Sequence, residues 1–239
     1  FNPEGVSRLD ATISNGKRNS SSTAFLKPAM RRNNLKLKTH VLVEKILLEN
    51  NRAIGIQLSE KGQKYIIEAE KEIILSAGAI NSPKILMLSG IGPADNLMEI
   101  GSKIHHELPG VGKNLQDHAT VSISWECLEE FKVHKIDQPV QKLIAGINWI
   151  LTRKGLAASN HFEAGGLIRG NDSVAYPNLQ YHFGPTGFDY VGGKFKLSQA
   201  FTLQLDQLRP KSRGYIKLKS INPNDCLLYT SDAADEHRR

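Results

Sequence analysis

Apolar and polar positions change their period several times along the chain, and those changes predict its elements. Residues 1–34 are polar and turn-rich. Within them, Ser20-Ser21-Ser22-Thr23 precedes the short amphipathic stretch Ala24–Arg32, a pattern of loop, N-cap and helix. Leu35-Lys36-Leu37-Lys38-Thr39 alternates as a strand does. Val41–Leu48 and Ala53–Leu58 are β-prone runs separated by Asn50-Asn51, and Lys61-Gly62-Gln63 separates the second from Tyr65-Ile66-Ile67. Runs joined by such turn residues predict an antiparallel meander with charged outward positions.

The period then disappears. Glu72-Ile73-Ile74-Leu75-Ser76-Ala77-Gly78 is a continuous apolar run that ends in small residues, the pattern of a strand buried on both faces of a parallel sheet. Ser82 suits an N-cap, Pro83 the first helical position and Gly90 the left-handed residue that ends a helix. Leu108–Gly112 reads as a turn and leads into Asn114–His118. Beyond it, Ala119–Glu126 alternates as a strand and Val140–Arg153 has helical periodicity up to Gly155. Asn160–Ile168, Asn178–Phe183, Phe201–Leu205 and Tyr215–Leu218 read as further strands. The expected fold class is α/β (α+β), with a change of pattern near His118 that divides residues 1–118 from 119–225. No internal repeat is evident.

Composition narrows the function classes. Of 239 residues, 40% are hydrophobic, and no window approaches the roughly 20 apolar residues of a membrane span. The net charge is +7, but Lys and Arg are interleaved with Glu and Asp and no nucleic-acid motif accompanies the denser run Lys27–Lys38. That distribution is a solvated surface, so nucleic acid is not an expected partner. Cys127 and Cys226 are too few for a disulfide framework, which predicts a reducing compartment, the cytoplasm, free or at the periphery of a membrane. The opening Phe1-Asn2-Pro3 has neither an initiator Met nor a signal pattern, so an internal piece of a longer protein is expected. Cys226-Leu227-Leu228-Tyr229-Thr230-Ser231-Asp232 and the residues after it resemble a translated sequencing adaptor, and 226–239 are expected to be a non-native tail.

The candidate chemistry lies in Ile73–Gly92. Small residues at Ser76-Ala77-Gly78 let the backbone approach a flat or charged ligand, and the following helix directs free N–H groups to the same place, favouring a negative group. Taken alone, the same string serves packing in many α/β proteins. The longer string Gly78-Ala79-Ile80-Asn81-Ser82-Pro83-Lys84-Ile85-Leu86-Met87-Leu88-Ser89-Gly90-Ile91-Gly92 resembles the second signature of the glucose–methanol–choline (GMC) oxidoreductase family. Pro109-Gly110-Val111-Gly112-Lys113-Asn114-Leu115-Gln116-Asp117-His118 resembles a second family block. Ala158–Gly166, Pro177–Phe183 and Arg209–Gly214 are similar to blocks of its choline-oxidising members, whereas Gly184–Tyr190 departs from them.

The resemblance implies a partial FAD-binding Rossmann-like domain over 1–118 and an antiparallel-sheet substrate domain over 119–225. It also implies FAD as cofactor and oxidation of a CH–OH donor, choline to betaine aldehyde. Another primary alcohol or a sugar, or a non-redox FAD-containing lyase, are the alternatives within the family. By alignment with the family, Val43 contacts FAD through its backbone and Ala77 and Gly78 line the cofactor side. Val43 would be a core β-branched residue in any case. Glu163 resembles the glutamate that faces a trimethylammonium head, and Phe162, Tyr181 and Phe183 are aromatic candidates for cation–π contact beside it. In a regular strand Phe162 and Glu163 point to opposite faces, so these residues do not all share one site. The eight histidines have no metal-site spacing; His161 and His182 fall near the expected substrate side, or are ordinary hydrogen-bonded histidines. The family's catalytic histidine block and its Gly-x-Gly-x-x-Gly loop do not occur in this sequence. The 239 residues by themselves are therefore expected to be inactive, with the base outside the chain. Arg209 occupies the position of an arginine in dehydrogenase-like members, which implies a quinone-type acceptor for the reduced flavin rather than oxygen.

Overall fold

The computed structural model describes residues 4–230. They form a mixed α/β structure whose sheets are antiparallel apart from one short parallel pair. Two compact units divide the chain: 37–117 with 211 onward, and residues up to 36 with 118–210. The polypeptide passes between them near 36, 117 and 210.

The first unit contains the meander. Strands Leu42–Glu49, Arg52–Glu60 and Gln63–Glu68 pair antiparallel in that order. Both hairpins are two-residue loops with positive φ at each central residue, Asn50 (48°) and Asn51 (61°), then Lys61 (51°) and Gly62 (83°). That is the mirror-image turn whose twist matches the flanking strands. Leu35–Thr39, by contrast, is irregular and not a strand. Its Leu/Lys alternation marks an exposed stretch of chain that pairs with no strand among the described residues.

Ile73–Leu75 also departs from the sequence expectation. The segment precedes the helix without joining a sheet, and Ile74 is 78% exposed. A strand buried on both faces needs neighbours on both sides, and among the described residues none pairs with it. The helix spans Gly78–Leu88, a full turn earlier than Ser82 and Pro83 predict, so Pro83 lies inside it. Ser82 nevertheless serves the helix start: its Oγ accepts the Ala77 backbone N–H at 3.1 Å. Gly90 ends the helix with φ 76°, as the sequence predicts.

Two buried polar ties fix this helix and its neighbours. The Ser89 hydroxyl accepts the Ile46 N–H (2.8 Å) and donates to the Ile85 carbonyl (2.6 Å), joining the helix end to the outer edge of the meander. The Asn96 amide clamps strand Gly214–Leu218 from the short helix Ala94–Glu99, donating to the Leu218 carbonyl (3.3 Å) and accepting the Leu218 N–H (3.2 Å). Around them Met87, Leu97, Val111, Ile216 and Leu218 form the apolar core. Leu227–Thr230 pairs along Gly214–Leu218, and Leu227 packs against that core; 231–239, the rest of the suspected tail, lie outside the described residues.

The second unit is a five-stranded antiparallel sheet in the order Gly5–Arg8, Ala164–Ile168, Leu179–Gly184, Ala200–Gln207, Thr120–Glu126. Strict pairing gives it one polar face, on which Thr120, Ser122, Ser124, His182, Thr202, Gln204 and Asp206 align. Residues one position along, Val121, Ile123, Trp125, Tyr181, Phe183, Phe201, Leu203 and Leu205, form an apolar face. The helix predicted at Val140–Arg153 spans Pro139–Thr152, with Arg153 left-handed at its end, and none of its residues is buried. The short helical stretch predicted near Ala24–Arg32 runs over Ser22–Ala29. No helix among the described residues is long and apolar enough to cross a membrane.

Asn96→Ala leaves the buried Leu218 N–H and carbonyl without partners. It is expected to lower unfolding free energy by about 2–3 kcal/mol, read as a lower denaturant midpoint at unchanged slope. Glu44, buried at 7% side-chain exposure, bonds Lys64 (3.0 Å) and Gln57 (2.6 Å). The Lys64 contact, then that of Gln57, holds its carboxyl below the ordinary 4.5 against the opposing effect of burial. Stability from this group is full above 4.5 and is lost as pH falls through the lower folded value. Glu44→Gln should therefore flatten the acid limb of the melting-temperature profile, by a stability difference of about 1 kcal/mol because Lys64 itself is solvated.

Candidate functional site

The two signature blocks meet in space. Ala79 and Pro83 from the Gly78–Leu88 helix, Gly112, Asn114 and Gln116 from the second block, and Ile216 line a hollow of about 300 Å³. Gly112 permits the meeting: its φ is 76°, and a Cβ there would stand 2.3 Å from the Ile216 carbonyl oxygen. At the head of the helix, Gly78 has φ 85°, and a Cβ built on it meets nothing within 4 Å. Its backbone is open to a ligand from that side. The first helical turn carries no acidic side chain, so the free N–H groups keep their partial positive charge. Ala77 caps this turn and is half-buried. Val43 is half-buried in the meander opposite Leu58, beside a β-bulge at Glu44, and is not among the residues of the hollow.

The expected substrate residues divide differently. Glu163 is exposed; its Oε1 accepts the Ser159 hydroxyl at 2.7 Å, and its carbonyl accepts the Leu9 N–H at 3.0 Å. Phe162 sits between two imidazoles, with ring centroids 5.0 Å from His161 and 5.6 Å from His182. Tyr181 is on the opposite face of the sheet, over Gly166, where a Cβ would lie 2.7 Å from its ring. Phe183 shares the Tyr181 face and packs on Phe201 at 5.8 Å. Phe162 thus meets His182 of the polar face, whereas Tyr181 points to the other face. What alternation does not reveal is why Phe162 reaches His182. The strand begins only at Ala164, and His161 immediately before Phe162 is left-handed at φ 77°.

His161, expected near the substrate side or as an ordinary hydrogen-bonded histidine, is left-handed and half-buried. A β-carbon-bearing residue in that conformation is strained. Burial pushes its pKa below the ordinary 6.5, opposed by the nearby Glu163 carboxylate, so the ring is neutral at physiological pH. Its Nε2 lies 3.5 Å from the Thr186 hydroxyl, and the space it occupies exists because residue 184 is glycine: a Cβ there would be 2.9 Å from that nitrogen. A glycine closing the strand Leu179–Gly184 was the one sequence signal for this approach. Asp206 carries no signal in the sequence. It is buried on the polar face, accepts the Thr120 hydroxyl at 2.6 Å, and faces His182 Nε2 at 3.4 Å. Among the described residues no group of three His, Cys, Asp or Glu is placed to hold a metal ion. Both cysteines are free thiols.

Comparison with known proteins agrees with this arrangement. The chain is 41% identical over 223 residues to oxygen-dependent choline dehydrogenase of Staphylococcus xylosus, and 41% over 225 residues to mitochondrial choline dehydrogenase of Homo sapiens. Those alignments cover 93% and 94% of this chain but 40% and 38% of the relatives, so the chain spans about two-fifths of their length. Among solved structures, formate oxidase of Aspergillus oryzae superposes with a TM-score of 0.83 at 21% identity, over 94% of this chain and 44% of that one. Pyridoxine 4-oxidase of Mesorbium loti superposes at 0.76 and 24%, over 98% and 42%. These two establish the fold. The model of the family described as GMC oxidoreductase matches residues 1–120, which contain both blocks that line the hollow, and the chain belongs to the GMC oxidoreductase family.

Proposed function

We propose that this chain is part of an FAD-dependent enzyme that oxidises a CH–OH donor, choline to betaine aldehyde. The observation that carries this reading is the 41% identity to two choline dehydrogenases over nine-tenths of the chain. The open backbone at Gly78 and the hollow shared by the two blocks fit one wall of a dinucleotide site.

Residues 37–117 supply the cofactor side. The Gly78 backbone offers close approach, Ala77 shapes the turn, and the first-turn N–H groups favour the pyrophosphate; Val43 contributes backbone from the meander. When bound, FAD supplies the hydride acceptor. The sheet of residues 118–210 supplies the substrate side. Glu163 attracts the quaternary ammonium by its charge, and its bond from Ser159 holds the carboxylate in place. Phe162 offers a ring face to the methyl groups, while Tyr181, on the other face, supports the sheet through Gly166. The enzyme works in the cytoplasm, and a quinone-type compound reoxidises it.

The test is anaerobic mixing of the purified full-length enzyme with choline, followed at the flavin absorbance. Bleaching by choline, weaker bleaching by uncharged primary alcohols and sugars, and faster recovery with added quinone than with oxygen are expected. An enzyme left yellow by choline would overturn the reading. In the same enzyme Glu163→Gln should raise KM for choline about tenfold at little-changed kcat, the loss of about 1.4 kcal/mol of ground-state attraction. An unchanged KM would remove Glu163 from the site.

A further inference from the structure

The polar face of the five-stranded sheet holds a buried carboxylate. Asp206 is 7% exposed. Its Oδ1 accepts the Thr120 hydroxyl at 2.6 Å and approaches Gln204 Nε2 at 3.5 Å. Its Oδ2 faces His182 Nε2 at 3.4 Å. Both partners of Oδ1 come from strands that the register fixes: Thr120 stands directly opposite Asp206, and Gln204 lies two residues back on the same strand. The carboxylate therefore cannot swing away without giving up a short hydrogen bond, and its remaining oxygen has one place to point.

His182 is the group it points at. The ring also packs against Phe162, 5.6 Å between centroids, and its side chain keeps 26% exposure. A carboxylate beside one imidazole nitrogen favours the tautomer with hydrogen on that nitrogen, leaving the other with a free lone pair. We propose that Asp206 is a positioning residue that acts through His182. It holds hydrogen on Nε2, so that Nδ1 presents a hydrogen-bond acceptor to the hydroxyl of the bound alcohol. The substrate part of this inference rests on the function proposed above; the tautomer does not.

Two measurements separate them. In the full-length enzyme with isotopically labelled histidine, heteronuclear NMR at mildly alkaline pH reads each ring's tautomer, with His182→Gln giving the assignment. His182 is expected to be mainly Nε2–H in the wild type, and Asp206→Asn is expected to move the ratio toward Nδ1–H by roughly fivefold or more. Thr120→Val, which removes only the Oδ1 donor, should produce a smaller shift in the same direction and serves if Asp206→Asn melts. An unchanged ratio in these variants overturns the positioning role whatever the substrate is. In the full-length enzyme with choline, Asp206→Asn should lower kcat about tenfold while KM moves less than about threefold, and it should add nothing in a His182→Gln background. Asp206→Glu should restore part of the loss. Fully additive losses would overturn the route through His182. Failure of choline to bleach the wild-type flavin would overturn the functional reading alone, because the tautomer ratio still decides the role of Asp206.

Discussion

One fully buried side chain, Met87, organises the cofactor-side unit. It projects from the Gly78–Leu88 helix into the space left by two glycines. A Cβ on Gly92 would lie 2.9 Å from Met87 Cγ, and one on Gly112 would lie 3.6 Å from Met87 Cε. Leu97, Val111, Ile216 and Leu218 close around it. Residues 93–108 separate the two signature blocks, and both pack against this methionine. The close approach also explains why the second block needs glycine at 112: its carbonyl accepts the Ile216 N–H at 2.6 Å while its α-carbon passes the Ile216 carbonyl. A packed interior transmits such a demand rigidly, so the glycines that look like ligand-binding flexibility also serve the core.

Buried polar atoms then set the register of what surrounds that core. Ser89 and Asn96 each satisfy backbone groups of a partner segment, Ile46 for one and Leu218 for the other. Leaving either backbone group unpaired in an apolar surrounding would cost more than the bond itself contributes. The substrate-side unit uses the same logic on a sheet. Its polar face carries Ser124 and Thr202 at 2.8 Å and the Thr120–Asp206–His182 line, each a cross-strand contact fixed by pairing. A strained residue, His161, stands at its border, where the chain enters the first of the central strands.

The candidate site was legible in parts. Ala77, Gly78 and the second block could be read as candidates because small residues and a helix start leave a local trace. The alternation that would set Phe162 against Glu163 does not apply, because the strand begins only at Ala164. Asp206 left no such trace. An aspartate on an alternating strand reads as a solvent-facing residue, and only cross-strand pairing with Thr120 and His182 shows that it is buried and aimed.

By itself the sequence determined the meander and its two turns, the stop at Gly90, the antiparallel strands beyond His118 and the membership that the signature strings announce. Each depends on neighbours within a few residues, where backbone geometry and side-chain period act directly. Tertiary structure decided the rest. Ile73–Leu75 has the composition of a buried strand yet finds no partner here, since a ladder is a property of two segments. The helix starts at Gly78 and carries Pro83 inside it, because the chain's approach to the core overrides the local preference for proline in the first turn. Leu35–Thr39 alternates without pairing for the same reason: a pattern offers a face, and only a neighbour makes it a strand.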